Sequence, residues 1–252
     1  MAKGSTGRVT NRARSAQSAT RKVRRIKVRE VDGISASRLR LLSSARRLFA
    51  EFGFESTSIR QIANDLGIVS ASLYHHFATK EEILHEILRV PILSFDKRTI
   101  MASRQVADPE HILVSLAVLR VQTWLEDWEA HAIATHDTQF FKQHDDFDYV
   151  ERSKLLGYKT LEAVLQEGID AGMFRADLDI YFTILAISSI LNSAARAVRD
   201  QDPHTVEPPA RYPITRITEL HVDFVLRLVR SVDRLKMPLP RAALKVLDVA
   251  DA

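Results

Sequence analysis

Ser70, Ala71, Ser72, Tyr74 and His75 are the residues of this 252-residue chain best suited, by side chain and position, to touch another molecule. A short helix begun near Ser70 turns all five to one side and sends Leu73 and Phe77 to the other. Small and hydrogen-bonding groups on an exposed face can approach base edges and phosphates. Upstream, Ser58 and Gln61 have the spacing of a capping box, and Ile59, Ile62, Ala63 and Leu66 fall at i, i+3, i+4 and i+7, a single buried stripe. Gly67 then stops that helix. Thr79 with Glu82 repeats the capping-box spacing and predicts a third helix reaching about Leu88. The run from Ser58 to Lys80 is therefore expected to fold as two short helices about a glycine turn, the build of a DNA-reading helix-turn-helix.

Four strings of residues carry a resemblance to a known family. They are Leu-Phe-Ala-Glu-Phe-Gly at 48–53, Ile-Arg-Gln-Ile-Ala at 59–63, Leu-Tyr-His-His-Phe at 73–77 and Thr-Lys-Glu-Glu at 79–82. Together, over about Leu39 to Leu88, they resemble the N-terminal domain of the TetR family of bacterial transcriptional regulators. The resemblance implies an all-α chain, a three-helix DNA-binding domain joined to a helical ligand-binding and dimerisation domain. It also implies operator contacts: Arg60 at the start of the second helix, Ser70, Ala71 and Ser72 for base edges, and Tyr74, His75 and Lys80 for phosphates. The partner so implied is a double-stranded DNA operator, bound by a homodimer.

Charge is distributed unevenly along the chain. The formal net of +4 combines ten Lys or Arg against two acidic residues in positions 1–37 with an acidic remainder of −5 from Pro91 onward. A basic arm next to a helix-turn-helix is expected to add phosphate contacts; a solubilising tail is the plainer alternative, and its composition favours disorder in the free protein either way. The chain has no cysteine, so disulfides, thiolate metal sites and cysteine nucleophiles are excluded, as suits a reducing cytoplasm. The longest uncharged run, Ile180 to Ala195, is short for a bilayer span and carries several hydroxyl and amide side chains. A cytoplasmic protein is expected.

The remaining pattern is helical throughout. Leu41, Ala45, Leu48, Phe49 and Phe52 give the first helix an inward face, with Gly53 as its cap. Asp108-Pro109-Glu110 starts a helix expected to run to about Ala130. Others cover roughly 133–141, 149–171, 180–198 and 214–235, with Pro203, Pro208, Pro209 and Pro213 forcing an irregular loop between the last two. These elements suggest an arm at 1–37, a DNA-binding domain at 38–90, an effector and dimerisation domain at 91–236 and a tail at 237–252. Tyr181, Leu185, Ser188, Asn192 and Ala195 line one helix face, and Ile217, His221, Phe224, Val225, Leu228 and Val232 line another. In the regulators that this chain resembles, two such C-terminal helices pair across a two-fold axis; completing one subunit's core is the alternative.

Trp124, Trp128, His131, Phe140, Phe141 and Tyr149 make the middle of the chain its most aromatic part, and an effector pocket needs apolar rings with a few convergent polar groups. They are the expected effector-binding residues, with plain core packing as the competing use. Gln139-Phe140-Phe141, the 147–152 run and the glycine-punctuated 167–179 run also look like TetR-type repressors of lipid and steroid catabolism in actinobacteria. That looser likeness points to a lipid or steroid catabolite, or an acyl-coenzyme A, as the effector. Arg152, Lys154 and Lys159 would either attract an anionic ligand or form a solvated face.

His131, His136 and His144 with Asp137, Asp145 and Asp146 have ligating chemistry, but their spacing matches no metal signature, and no metal is expected. No phosphate loop, GxSxG elbow or HExxH helix is present, so no catalytic residue, enzyme activity or cofactor is expected. A helical nucleic-acid-binding or interaction protein without effector control is the rival reading. Deleting residues 1–30 is expected to weaken operator binding and to flatten the plot of log affinity against log salt, by roughly one unit of slope for each phosphate that the arm neutralises. Gel-shift titrations at several salt concentrations measure this, and an unchanged slope would mark the arm as a solvated tail.

Overall fold

A computed structural model describes residues 36–104, 108–199 and 213–240, with side chains as far as 194 in the middle stretch. The chain divides into units 1–39 and 40–252. Of the first unit only residues 36–39 are described, as the opening of a helix. The basic arm to residue 35, Ala195 as an interface residue, Pro203, Pro208, Pro209 and the tail from 241 lie outside the described residues.

The described elements are helical. Helix α1 (Ala36–Phe52) buries Leu41, Ala45, Leu48 and Phe49. Phe52, expected on that same face, is instead 52% exposed. Gly53 adopts φ 84° and turns the chain, so that Phe54 takes the core position and packs edge-on against Phe49 at 5.1 Å between ring centroids. The expected capping box starts α2 (Ile59–Leu66): the Ser58 side chain accepts from Gln61 N–H, and the Gln61 side chain accepts from Ser58 N–H at 2.7 Å. Gly67 ends α2 in the left-handed region at φ 67°, where a side chain would be strained. Helix α3 (Ser70–Tyr74) is the short helix expected from about Ser70, little more than one turn.

Helix α4 (Lys80–Arg104) departs most from expectation, because it continues through Pro91 to 25 residues where one ending about Leu88 is expected. An interior proline costs roughly 3 kcal/mol in a helix, through a missing hydrogen bond and a steric clash. Burial offsets this: Ile83, Leu84, Ile87 and Leu88 are buried before the proline, and Ile92 and Thr99 after it. The boundary expected at residue 90 therefore falls inside an unbroken helix.

Asp108 caps α5 (Pro109–Glu126) by accepting from the N–H groups of Glu110 and His111. The single helix expected to residue 130 stops at Asp127, whose carboxylate pairs with Arg46 of α1. Helix α6 (Trp128–His136) is separated from α7 (Thr138–Gln143) by Asp137, whose carboxylate accepts from Phe54 N–H at 3.2 Å. Both interruptions are aspartates drawn to partners more than eighty residues away. A 3-10 turn (Asp145–Phe147) leads into α8 (Asp148–Asp170), then come α9 (Ile180–Arg199) and α10 (Ile214–Val229). Helix α10 ends before the expected residue 235 because Arg230 forms an antiparallel bridge with Phe174.

Two apolar cores result. One gathers α1 to the first half of α4 with Trp124, Ile133, Phe140, Phe141, Phe147 and Val150, so the helix-turn-helix and the α6–α7 region share an interior. The other is built by α5, the end of α8, α9 and α10. At its base the buried Arg230 guanidinium donates to Glu110 at 2.7 and 3.2 Å and to the carbonyls of Met237 and Pro238, a fully partnered charge. On the expected pairing faces, Tyr181, Leu185, Phe224 and Val232 are exposed, whereas Ile217 and Val225 belong to the subunit's own core. None of the described helices is long and apolar enough to cross a membrane.

The turn after α8 is held by a close approach: a Cβ on Gly168 would sit 2.1 Å from the buried Phe174 ring. Substituting Gly168 with Ala should lower stability by about 1–3 kcal/mol, because overpacking outweighs the helix propensity gained. The same change at Gly157 in the same helix, where a Cβ would meet nothing within 4 Å, should be neutral or stabilising. Paired urea titrations of the two variants read the difference directly.

Candidate functional site

The polar face predicted from the sequence is present. Arg60, Ala71, Tyr74 and His75 are exposed and Ser70 and Ser72 partly so, while Leu73 and Phe77 are buried beneath them. The support comes from α1 and α4. Asp65 of α2 accepts from Ser44 at 2.6 Å and from Arg47 at 2.5 Å, fixing α2 on α1. Thr79 accepts from Glu82 N–H at 3.1 Å, and the Glu82 carboxylate reaches back to Ala78 N–H at 2.7 Å, which fixes the angle at which α3 passes into α4.

Lys80 differs from the role the resemblance carries to it. Its ammonium donates to the carbonyls of Phe54 at 2.8 Å and Thr57 at 2.9 Å, approaches that of Glu55 at 3.5 Å, and lies 4.2 Å over the Phe54 ring. Burial pulls its pKa below the usual lysine range. With three donors directed at three carbonyls, Lys80 clamps the α1–α2 loop to α4 and has none left over for a phosphate.

The expected effector residues separate into two groups. Phe140 and Phe141 pack with Phe54 and Phe147 in the core below the helix-turn-helix, Phe140 lying 4.6 Å from Phe54. Trp128 is a partly buried neighbour of the same core, and Tyr149 packs on His85 at 5.5 Å, its phenol held protonated by burial. Trp124 is buried with its ring 5.4 Å from that of His131. Of the six, His131 alone lines a cavity of about 310 Å³ between α4, α5, α6, α8 and α9.

Most of that wall is apolar, supplied by Ile92, Leu113, Leu116, Ile184, Ile187 and Leu191. Its polar groups include Thr99, Arg120, His131 and Ser153. Ser153 donates to Asp96, a carboxylate whose pKa burial raises. The Arg120 guanidinium lies 5.5 Å from the centre of the Phe95 ring, and His131 meets that ring edge-on at 5.8 Å. Burial pushes the His131 pKa down to about 3, assisted by the positive charges of Arg120 and Arg46, so the imidazole is neutral at pH 7. Sequence reasoning missed Phe95, Thr99 and Arg120. A signal did exist for the last, since Arg120 is the lone charged residue between Ile112 and Leu125.

The other polar residues singled out from the sequence do not converge. Arg152 is exposed, Lys159 pairs with Glu162 at 2.7 Å, and Lys154, at the cavity wall, is engaged by Glu151 at 2.8 Å. His136 is exposed and His144 stacks on Phe140 at 4.0 Å, both apart from His131 in the cavity wall. Among the described residues no group of three His, Asp or Glu is arranged to hold a metal ion.

Residues 41–87 match the family described as bacterial regulatory proteins, tetR family. The repressor KstR2 of Mycobacterium tuberculosis is 36% identical over 150 residues, 58% of this chain and 74% of its own length. KstR2 of Rhodococcus jostii is 33% identical over 172 residues, 68% and 82% of the two chains. Among solved structures, the ketosteroid transcriptional regulator KstR2 of Mycobacterium tuberculosis superposes with a TM-score of 0.66 at 28% identity, over 79% of this chain and 97% of that one. The chain belongs to the TetR family of bacterial regulatory proteins. It is a DNA-binding transcriptional regulator and not an enzyme.

The neutral, buried His131 ties stability to pH. Its folded pKa of about 3 lies below the unfolded value near 6.5, so the unfolded chain binds the extra proton. The contribution is complete above about pH 6.5 and should disappear as pH falls towards 3, by at most roughly 1.4 kcal/mol per pH unit. Replacing His131 with Phe should flatten the fall in stability between those pH values, measured by urea titration at half-unit steps.

Proposed function

We propose that the protein is a repressor that binds a palindromic operator as a homodimer and leaves it when a small organic effector occupies the α4–α9 cavity. The observation that carries this reading is the continuity of α4. Its first half lies in the core of the helix-turn-helix, and its second half supplies Ile92, Phe95 and Thr99 to the cavity wall. A ligand that pushes on the second half changes the angle of the first. Asp127 and Asp137 add two links from the same region to α1 and Phe54. Two heads must match successive major-groove faces, so a displacement of a few ångströms is enough to release one half-site. The effector acts through its stronger affinity for the wider shape.

Homodimerisation is supported by the packing of α9 on α10, which leaves Tyr181, Phe182, Leu185 and Phe224 exposed. Large apolar side chains grouped on a surface mark an interaction site. A lipid or steroid catabolite, free or as its acyl-coenzyme A, is the effector class favoured by the similarity to KstR2 and by the apolar cavity wall. Operator contacts are assigned to Arg60, Ser70, Ala71, Ser72, Tyr74 and His75. Lys80 is left out because its donors are occupied.

Replacing Tyr74 with Ala should weaken binding to all operator sequences alike. Replacing Ser70 or Ser72 with Ala should instead shift preference at particular base pairs, each by about 1–3 kcal/mol. Binding selections on randomised duplexes separate the two patterns. Sedimentation should give a dimer at micromolar concentration; a monomer that binds one half-site would favour the rival reading, a helical DNA-binding protein without effector control.

A further inference from the structure

We propose that the cavity takes a compact apolar molecule bearing one carboxylate, which seats on Arg120 with His131 Nε2 and Thr99 Oγ1 as the accompanying hydrogen-bonding groups. The proposal rests on the cavity being the effector site and names the chemistry that the site selects. Three groups there lack partners. Thr99 is 3% exposed and His131 7%, and neither Thr99 Oγ1 nor His131 Nε2 has a hydrogen-bond partner among the described residues. Arg120, partly exposed at the cavity wall, is paired with no acceptor among the described residues, and its neighbour is the face of Phe95. All three surround that ring: Thr99 is one helical turn beyond Phe95 on α4, and Arg120 and His131 both contact it.

Buried polar groups are nearly always paired, and a desolvated cation such as Arg120 without a counter-ion is a costly exception. The same molecule shows how this chain satisfies a buried guanidinium when the purpose is structural, with Glu110 and two carbonyls on Arg230. Three other wall hydroxyls are satisfied within the protein: Ser153 by Asp96, Thr135 by the His131 carbonyl and Thr160 by the Leu156 carbonyl. The unpaired set thus gathers about Phe95 in a largely apolar cavity.

Charge decides which ligand group fits. A neutral ketone or ester accepts a hydrogen bond but leaves the guanidinium charge uncompensated. A phosphate dianion would bring one charge too many, because Lys154 is already engaged by Glu151. A carboxylate matches the fork of Arg120 with one charge, and neutral His131 can donate through Nε2 without a second positive charge. Size restricts the remainder. At about 310 Å³ the space is at the lower end of ligand pockets, which run from about 300 to 1,000 Å³, so the part of the ligand held within it is compact.

The test uses the 252-residue chain with three acids, decanoate, cyclohexanebutyrate and 1-naphthaleneacetate, each beside its methyl ester and its coenzyme A thioester. Calorimetry gives affinities, and tryptophan fluorescence reports the site because Trp124 packs on His131. At least one acid should bind, roughly tenfold or more tightly than its ester and its thioester. Arg120→Met should abolish that preference and Arg120→Lys should keep part of it. In the ligand-free protein Arg120→Met should raise the Tm by a few degrees, since it removes an uncompensated charge, whereas a structural arginine would give a lower Tm. Equal binding of acid and ester, no binding of any acid at millimolar concentration, or a destabilised Arg120→Met would overturn the proposal. Acid binding with the stated preference but no release of operator would uphold it and defeat the regulatory reading. Release driven equally well by an ester or thioester would do the reverse.

Discussion

Helix α4 has to satisfy two interiors at once, and the remaining elements are arranged around that requirement. Ile83, Leu84, Ile87, Leu88 and Ile92 are buried in the core that the helix-turn-helix shares with α6 and α7, while Thr99 lines the cavity and Ala102 packs against the larger helical bundle. A helix that ended at Pro91 would leave the two halves joined by a loop, free to reorient independently. Packing on both sides of the proline holds the helix together despite the cost of the missing N–H. The helix-turn-helix is consequently packed on the same helix that walls the cavity.

The contacts from α6 and α7 reinforce this dependence. Phe140 meets Phe54 at the end of the α1 turn, Asp137 accepts the Phe54 N–H, Lys80 covers the Phe54 ring, and Asp127 pairs with Arg46. Phe54 is thereby touched from three directions by residues distant in sequence. These contacts trade helix continuity for tertiary contact, since both aspartates sit at breaks in what would otherwise be longer helices. Surface ion pairs are worth little by themselves, but Arg46 and Asp127 are partly buried and reinforce an apolar contact that already exists.

Two guanidiniums, one buried and one at the cavity wall, illustrate opposite uses of the same group. Arg230 is fully partnered and closes the base of the bundle, where it joins the end of α10 to α5. Arg120 sits against an aromatic ring with open space before it. Unsatisfied polarity of that kind lowers the stability of the empty protein and raises its affinity for a molecule that supplies the missing acceptor, the usual trade between stability and function.

The helix-turn-helix is legible in the amino-acid order because local rules are sufficient there. A capping box, a glycine in the left-handed region and a four-position stripe each act within a few residues, and the exposed face from Ser70 to His75 follows from them. The all-α architecture was equally legible from apolar periodicity. Long-range packing was needed to settle that Phe54 rather than Phe52 enters the core, that α4 survives Pro91, and that α5 and α6 part at Asp127. It also settled that His131 faces a cavity while Phe140 and Phe141 form core, and that Lys80 binds carbonyls. Each of these depends on partners twenty or more residues distant, or on burial summed over several helices. Periodicity shows that a side chain is apolar and which face it occupies, but a core and a cavity wall are made of the same residues. What distinguishes them is whether a neighbouring helix fills the space in front.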